Sequence, residues 1–221
     1  MIDVLYEDNH LIAINKKSGD ITQGDITGDI PISEIIKTYL KKKYKKPGNV
    51  FLGTIHRIDR PTSGIVIYAK TSKALSRMNK KFRDKEVKKK YLAIVENRPI
   101  NNKGRLENYI KKNPKNNKSY ITTKEKGKKA VLSYKLINQL KKYFLLEISP
   151  ETGRHHQIRV QLSNIGCVIK GDLKYGARRS NKNKGIDLLA YNIEFTHPTS
   201  KEKINITAPI PKDRIWKDSH I

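Results

Sequence analysis

The chain is poor in sulfur, tryptophan and acid. Its 221 residues include one cysteine, two methionines and one tryptophan. A lone Cys167 excludes an internal disulfide and a cysteine-rich metal site, and it reads as a buried, inert thiol. Acidic residues number 21 against 47 basic ones, a formal net charge of +26. Acids this sparse and scattered do not suit a two-metal nuclease, which needs several carboxylates close together. Long apolar runs are also missing. Stretches such as Ile65 to Ala69 fall far short of the roughly 20 residues that a membrane helix requires. The opening MIDVLYEDNH carries three acids and no basic-then-apolar pattern, so no signal peptide is visible. A soluble, cytoplasmic protein is expected.

What is abundant is lysine. There are 36 lysines and 11 arginines, with basic density peaking at Lys41 to Lys46, Lys80 to Lys90 and Lys111 to Lys129. AT-rich codon usage would raise lysine, but it would raise glutamate too, and only 10 glutamates are present. The excess therefore belongs to the surface. Its natural partner is a polyanion, because each phosphate neutralised releases counterions.

Short β-branched and aromatic runs predict strands at VLYE, LIAIN, IVIYAK, YLAIVE, VLSYKLI, YFLLEIS, LLAYNIEF and INITA. Helices are predicted at Pro31 to Lys43, at Thr71 to Phe82 behind a hydroxyl cap, and at Thr152 to Gly166 behind another. Without a regular βαβ alternation the expectation is an α+β fold with a large, mostly antiparallel mixed sheet and flanking helices. Asn101 to Lys129 reads as a loop excursion or a weak edge hairpin. No linker splits the chain, so 1–221 is expected to be a single domain, or one core with a small lobe.

The stretch HRIDRPTSG, His56 to Gly64, lodges one carboxylate among two arginines and a histidine. Alone, Asp59 reads as a structural ion-pair partner. Ser63, His56 and Asp59 are the residue types of a hydrolase triad, but no nucleophile elbow accompanies them. Gly171 to Gly176 is no phosphate loop, since no GK[ST] follows. Four of the 11 arginines, Arg57, Arg60, Arg154 and Arg159, fall in HRIDRPTSG and ETGRHHQIRVQL. In a lysine-biased chain this marks places that want a planar fork.

In order and approximate spacing, HRIDRPTSG, KKKYLAIV, TGRHHQIRVQL, IKGDLKYG, LLAYNIEFTHP and ITAPIP resemble the RluA family of pseudouridine synthases. The resemblance runs from about Val4 to Pro211. It implies the pseudouridine synthase fold with a central cleft, uridine isomerisation in structured RNA, and no cofactor or metal. By the resemblance the catalytic residues are Asp59, Tyr91 and Arg159. Asp59 is the anionic oxygen, with attack on C1′, addition to the uracil ring and removal of the 2′ proton all open to it. Tyr91 stacks on uracil and helps to remove the C5 proton. Arg159 is the cation that keeps the carboxylate ionised; on a helix it would share a face with His155. Arg57 matches the arginine inserted where the flipped base had been, and Arg60 and Arg154 are phosphate or scaffold contacts.

The chain departs from the family pattern in places. NKPxG reads NKKSG (Asn15 to Gly19), and His155, Gln161 and Val168 replace a small polar residue, a histidine and a proline. The chain begins almost at the catalytic blocks, so no N-terminal RNA-binding module is expected. The expected partner is then ribosomal or transfer RNA, with no membrane, and the protein itself is expected to be a monomer. The rival reading is a non-catalytic RNA-binding or ribosome-assembly protein on the same scaffold.

Overall fold

The computed structural model describes residues 2–24 and 28–219. Along the chain run β1 (Val4–Glu7), β2 (Leu11–Lys16), α1 (Ile32–Lys43), β3 (Gly53–Thr54), β4 (Ser63–Ala69) and α2 (Ser72–Arg83). Then come β5 (Lys88–Val95), β6 (Lys103–Asn113), β7 (Lys118–Thr122), β8 (Lys128–Gln139) and β9 (Phe144–Pro150). The last are α3 (Gln157–Asn164), a short 3-10 turn at Leu173–Tyr175, β10 (Leu188–Thr196), β11 (Lys203–Thr207) and α4 (Arg214–Lys217). All eight strands expected from sequence are present, extended by a residue or more where β-branched runs meet lysines. The chain packs as two compact units, Met1–Lys88 with Ala190–Pro209 and Lys89–Leu189 with Ile210–Ile221.

In the first unit β2 lies between β1 and β4, antiparallel to both. Its Leu11 to Ile14 are fully buried, as are Val66 to Ala69 of β4. Strands covered on both faces lose the apolar/polar alternation, which is why these runs read as continuous hydrophobic stretches. The α1 helix hides Ile32, Ile36 and Leu40, four residues apart on one stripe. The α2 helix starts as its sequence predicts, with the Thr71 side chain accepting from the Ala74 amide at 3.2 Å.

In the second unit the strand order is β5-β9-β8-β6-β7, all antiparallel. One face of this sheet carries Ala93, Val95, Leu132, Leu146 and Ile148, and α3 lays Ile158 and Leu162 on it. Cys167 is buried in this core, where desolvation pushes its thiol up to about 11. The segment Asn101 to Lys129 is the edge hairpin rather than a loop, with Tyr109–Asn113 registered on Thr122–Lys118. The α3 helix is shorter than expected. Its preceding residue, His156, sits in the left-handed region at φ 53°, so the helix begins at Gln157 and not after Thr152. His155 thus lies outside the helix and shares no helical face with Arg159.

No helix among the described residues is long and apolar enough to cross a membrane.

Candidate active site

In the first unit the acidic loop joins β3 to β4. Buried Ile55 and Ile58 anchor it, leaving Arg57 and Arg60 exposed and Asp59 half-buried between them. A turn closes it, with the Thr62 amide donating to the Asp59 carbonyl at 3.0 Å. His56 accepts from the Ile67 amide through Nε2 at 3.1 Å and stacks on Phe82 with centroids 5.1 Å apart. Gly64 ends the motif at φ +109°. A Cβ there would fall 2.3 Å from the Ala190 carbonyl oxygen, so only glycine fits.

The loop is stitched to a second one, NKKSG. Gly19 donates its amide to the Arg60 carbonyl at 2.9 Å, and Ser18 Oγ donates to the Pro61 carbonyl at 3.0 Å. Lys16, fully buried, donates from Nζ to the carbonyls of Lys17 and Asp20 at 2.9 Å each and of Arg60 at 3.1 Å. Burial draws this ammonium down to about 8, opposed by the charges of Asp20 and Asp59. A fixed cation inside the Asp59 loop was not foreseen. The signal was there: alternation along LIAINK puts Lys16 on the face of Ile12 and Ile14. Arg60, expected at phosphate or scaffold, pairs with Asp29 at 2.7 Å across half-exposed side chains.

In the second unit Tyr91 stands half-buried on β5, paired across the ladder with Ile148, and packs against the core that α3 covers. Arg159 is buried on α3. It grips Asp172 side-on, Nε to Oδ2 at 2.7 Å and Nη2 to Oδ1 at 2.8 Å. Its guanidinium lies 5.0 Å from the Tyr175 ring centroid. Asp172 and Tyr175 explain why GDLKYG accompanies the arginine block. One of the chain's scarce acids in that block was the clue to an arginine partner.

Beside this pair, the rings of His155 and His156 stack at 3.8 Å, not splayed as a helix would set them. His155 Nδ1 meets Ser119 Oγ at 2.8 Å, and His156 Nδ1 meets the Tyr175 hydroxyl at 2.8 Å. Burial, then the cations around it, drives the His156 pKa down to about 2, so the ring is neutral, while the Tyr175 hydroxyl donates to the Ser119 carbonyl at 3.2 Å. The Ser119 amide in turn donates to Tyr175 at 2.8 Å, so the phenol caps the outer edge of β7. Gln161, where the family pattern has histidine, donates to Asn108 Oδ1 at 2.8 Å and ties α3 to β6. Arg154 is exposed, with Nε donating to the Lys129 carbonyl at 2.9 Å.

The structure thus groups Arg57, Asp59 and Arg60 with Lys16 in one unit, and Tyr91, Arg154 and Arg159 in the other. An ionised carboxylate on a pinned loop can act as a nucleophile or base. A phenol can stack on a base or move a proton, and a buried guanidinium can hold an anion.

The sequence profile of the RNA pseudouridylate synthase family matches residues 10–164. The ribosomal large subunit pseudouridine synthase C of Buchnera aphidicola subsp. Schizaphis graminum is 37% identical over 216 residues, covering 94% of this chain and 67% of the relative. An uncharacterized RNA pseudouridine synthase of Bacillus subtilis is 31% identical over 215 residues, with 96% and 70% covered. Among solved structures, human RNA pseudouridylate synthase domain containing 4 superimposes with a TM-score of 0.80 at 23% identity. That match covers 98% of this chain and 91% of the other, and it supports the fold.

Proposed function

The chain belongs to the RNA pseudouridylate synthase family, and from that premise we propose that it isomerises specific uridines of ribosomal RNA through Asp59. It is an isomerase; the residue roles and the substrate are our reading. Isomerisation breaks the N1–C1′ bond, turns the base, joins C5 to C1′ and moves the C5 proton away. The target must first leave its stack, at a cost of a few kcal/mol. Exposed Arg57, planar and charged, fills the gap it leaves. Asp59 supplies the ionised oxygen that each route to N1–C1′ cleavage requires. Tyr91 stacks on uracil and takes part in removing the C5 proton, and Arg159 supplies positive charge. Arg60 and Arg154 contact phosphates, and both units serve one catalytic domain. Ribosomal RNA is favoured over transfer RNA because relatives carry it in their names.

The observation that carries this reading is the pinned loop. Lys16, Ser18 and Gly19 all bond to the Arg60–Pro61 carbonyls and hold Asp59 half-buried. A carboxylate needed only for solubility would not be fixed by a buried ammonium. The test is tritium release from C5-labelled uridine RNA. Asp59→Asn should abolish release while RNA binding stays near wild type; release by that variant would refute the assignment. Mapping pseudouridines in cellular RNA with and without the protein then decides between ribosomal and transfer RNA.

A further inference from the structure

The β6–β7 hairpin has two chemically different faces. On one, Ile110 and Ile121 pack with Val160 of α3 and with Tyr175. Alternation along the strands sends Tyr109 and Lys111 of β6, and Tyr120 and Thr122 of β7, to the other. There Tyr120 stands directly across from Lys111 and Tyr109 across from Thr122, so the two tyrosines are diagonal neighbours about 7–8 Å apart. Tyr120 is exposed and Tyr109 half-buried. Neither side chain makes a hydrogen bond, ring contact or cation contact with another described residue. High β-propensity accounts for a tyrosine in a strand, but not for two open rings side by side on a charged face.

The surroundings are cationic. Lys111 to Lys129 carries eight lysines and one acid, Glu125. Lys111 lies beside one ring and Lys129 of β8 beside the other. The acid on this face of β6, Glu107, is neutralised twice, by Arg105 at 2.9 Å and by Lys129 at 2.5 Å. Lys111 has no ion-pair partner among the described residues. The hairpin is also fixed in place. Asn113 and Asn116 each accept, through Oδ1, the amide two residues on, at 3.0 and 3.1 Å. Lys174 donates to the carbonyls of Asn116 and Asn117 at 3.3 and 3.2 Å, and Ser119 Oγ donates to the His155 carbonyl at 2.8 Å. A platform held this way loses little freedom when it binds.

We propose that Tyr109 and Tyr120, with Lys111 beside them, form a stacking platform for two unpaired bases of the RNA other than the target uridine. The proposal rests on the RNA reading above. A base can lie on an aromatic ring only when it is free of a partner strand, and a lysine at the ring's side meets the backbone phosphate. The platform faces away from α3, the helix that carries Arg159, so it takes a different stretch of RNA from the one isomerised. It thereby selects RNA that offers an open segment beside its target.

The test uses the full chain and an oligoadenylate of about ten nucleotides, which contains no uridine to isomerise. Tyr120→Ala should weaken binding about tenfold with no change in salt slope, because stacking is lost and charge is not. Tyr120→Phe should bind like wild type, and Tyr120→Leu as weakly as Tyr120→Ala. Lys111→Met should make the slope shallower by about one phosphate contact. Pairing the probe with oligothymidylate should abolish the dependence on Tyr120. Wild-type affinity in Tyr120→Ala overturns the platform, as does Tyr120→Leu binding as well as Tyr120→Phe. A wild-type dimer in sedimentation that Tyr120→Ala dissolves also overturns it, and gives the face to a second copy of the chain. The two readings fail separately. Tritium release with Tyr120-independent binding loses the platform alone, and Tyr120-dependent binding without pseudouridine formation loses the enzyme reading alone. A chain that binds no RNA loses both.

Discussion

The two units differ most in what they do with charge. The first holds 20 basic and 12 acidic residues, net +8, and the second 27 and 9, net +18. In the first, eight cations of the described residues reach carboxylates, among them the partners of Glu7. Glu7 alone receives Lys43, Lys70, Tyr39 and Tyr44. Burial would push its carboxyl up, yet those donors hold it at about 2. In the second, Lys103 to Lys129 carries ten basic residues and two acidic ones. There Glu107 and Glu151 engage Arg105 and Lys129, while Lys111, Lys112, Lys115, Lys124, Lys126 and Lys128 have no ion-pair partner among the described residues. Under the proposed function the difference suits two tasks: the first unit would fix one acid, and the second would present charge to a polyanion.

The largest effect expected is on the acid. Asp59→Asn should lower the turnover number by about 10⁴-fold or more and change RNA affinity by less than about twofold. Comparable losses in both would erase the division between the units.

Next comes the buried pair of the second unit. Arg159 and Asp172 have side-chain exposures of 5% and 1%. Asp172→Ala takes the bidentate carboxylate away from a buried guanidinium and should cost about 3–5 kcal/mol. That is a drop of about 10 °C in Tm for a chain of this size. A melting point near wild type would mean that Asp172 is not what holds the guanidinium.

The counterpart in the first unit is Lys16. Lys16→Met strips a donor from three carbonyls and should cost about 3 kcal/mol at pH 7. Its folded pKa, about 8, lies below the ordinary lysine value, so between about pH 8 and 10.5 the unfolded chain holds the extra proton. Wild-type stability should therefore rise with pH across that window relative to Lys16→Met, by at most about 1.4 kcal/mol per unit. Urea unfolding of both proteins at pH 7.5 and 10 reads the difference; a parallel pH dependence removes Lys16 as a buried charge.

Sequence carried the strands and the motif blocks well, because β-branched runs and fixed glycines leave local marks. The hidden part was partnership at a distance. Nothing near Lys16 says that it bonds the carbonyl of Arg60, 44 residues on. Nothing near Arg159 names Asp172, beyond the rarity of acids. The α3 start was misjudged because Thr152 looks like a cap, whereas its hydroxyl bonds Val131 and Gln157 and the backbone turns left-handed at His156. Tertiary hydrogen bonds there override the local helix signal.

The smallest effect tests the hairpin. Its inner face is committed, since Ile110 and Ile121 pack with Val160 and Tyr175. Its outer face is not: Lys111 lies directly across from Tyr120, which is 43% exposed. Edge lysines also discourage strand-to-strand aggregation, so their presence alone does not prove a grip on RNA. Charge reversal separates the two roles. Lys111→Glu with Lys115→Glu keeps the edge charged and soluble but repels phosphate. Affinity for RNA should fall about tenfold at moderate salt, the dependence on salt should become shallower by about two contacts, and turnover at saturating RNA should hold. If affinity and salt dependence stay put while the protein remains monodisperse, the lysines only guard the edge, and the charge contrast between the units says nothing about substrate.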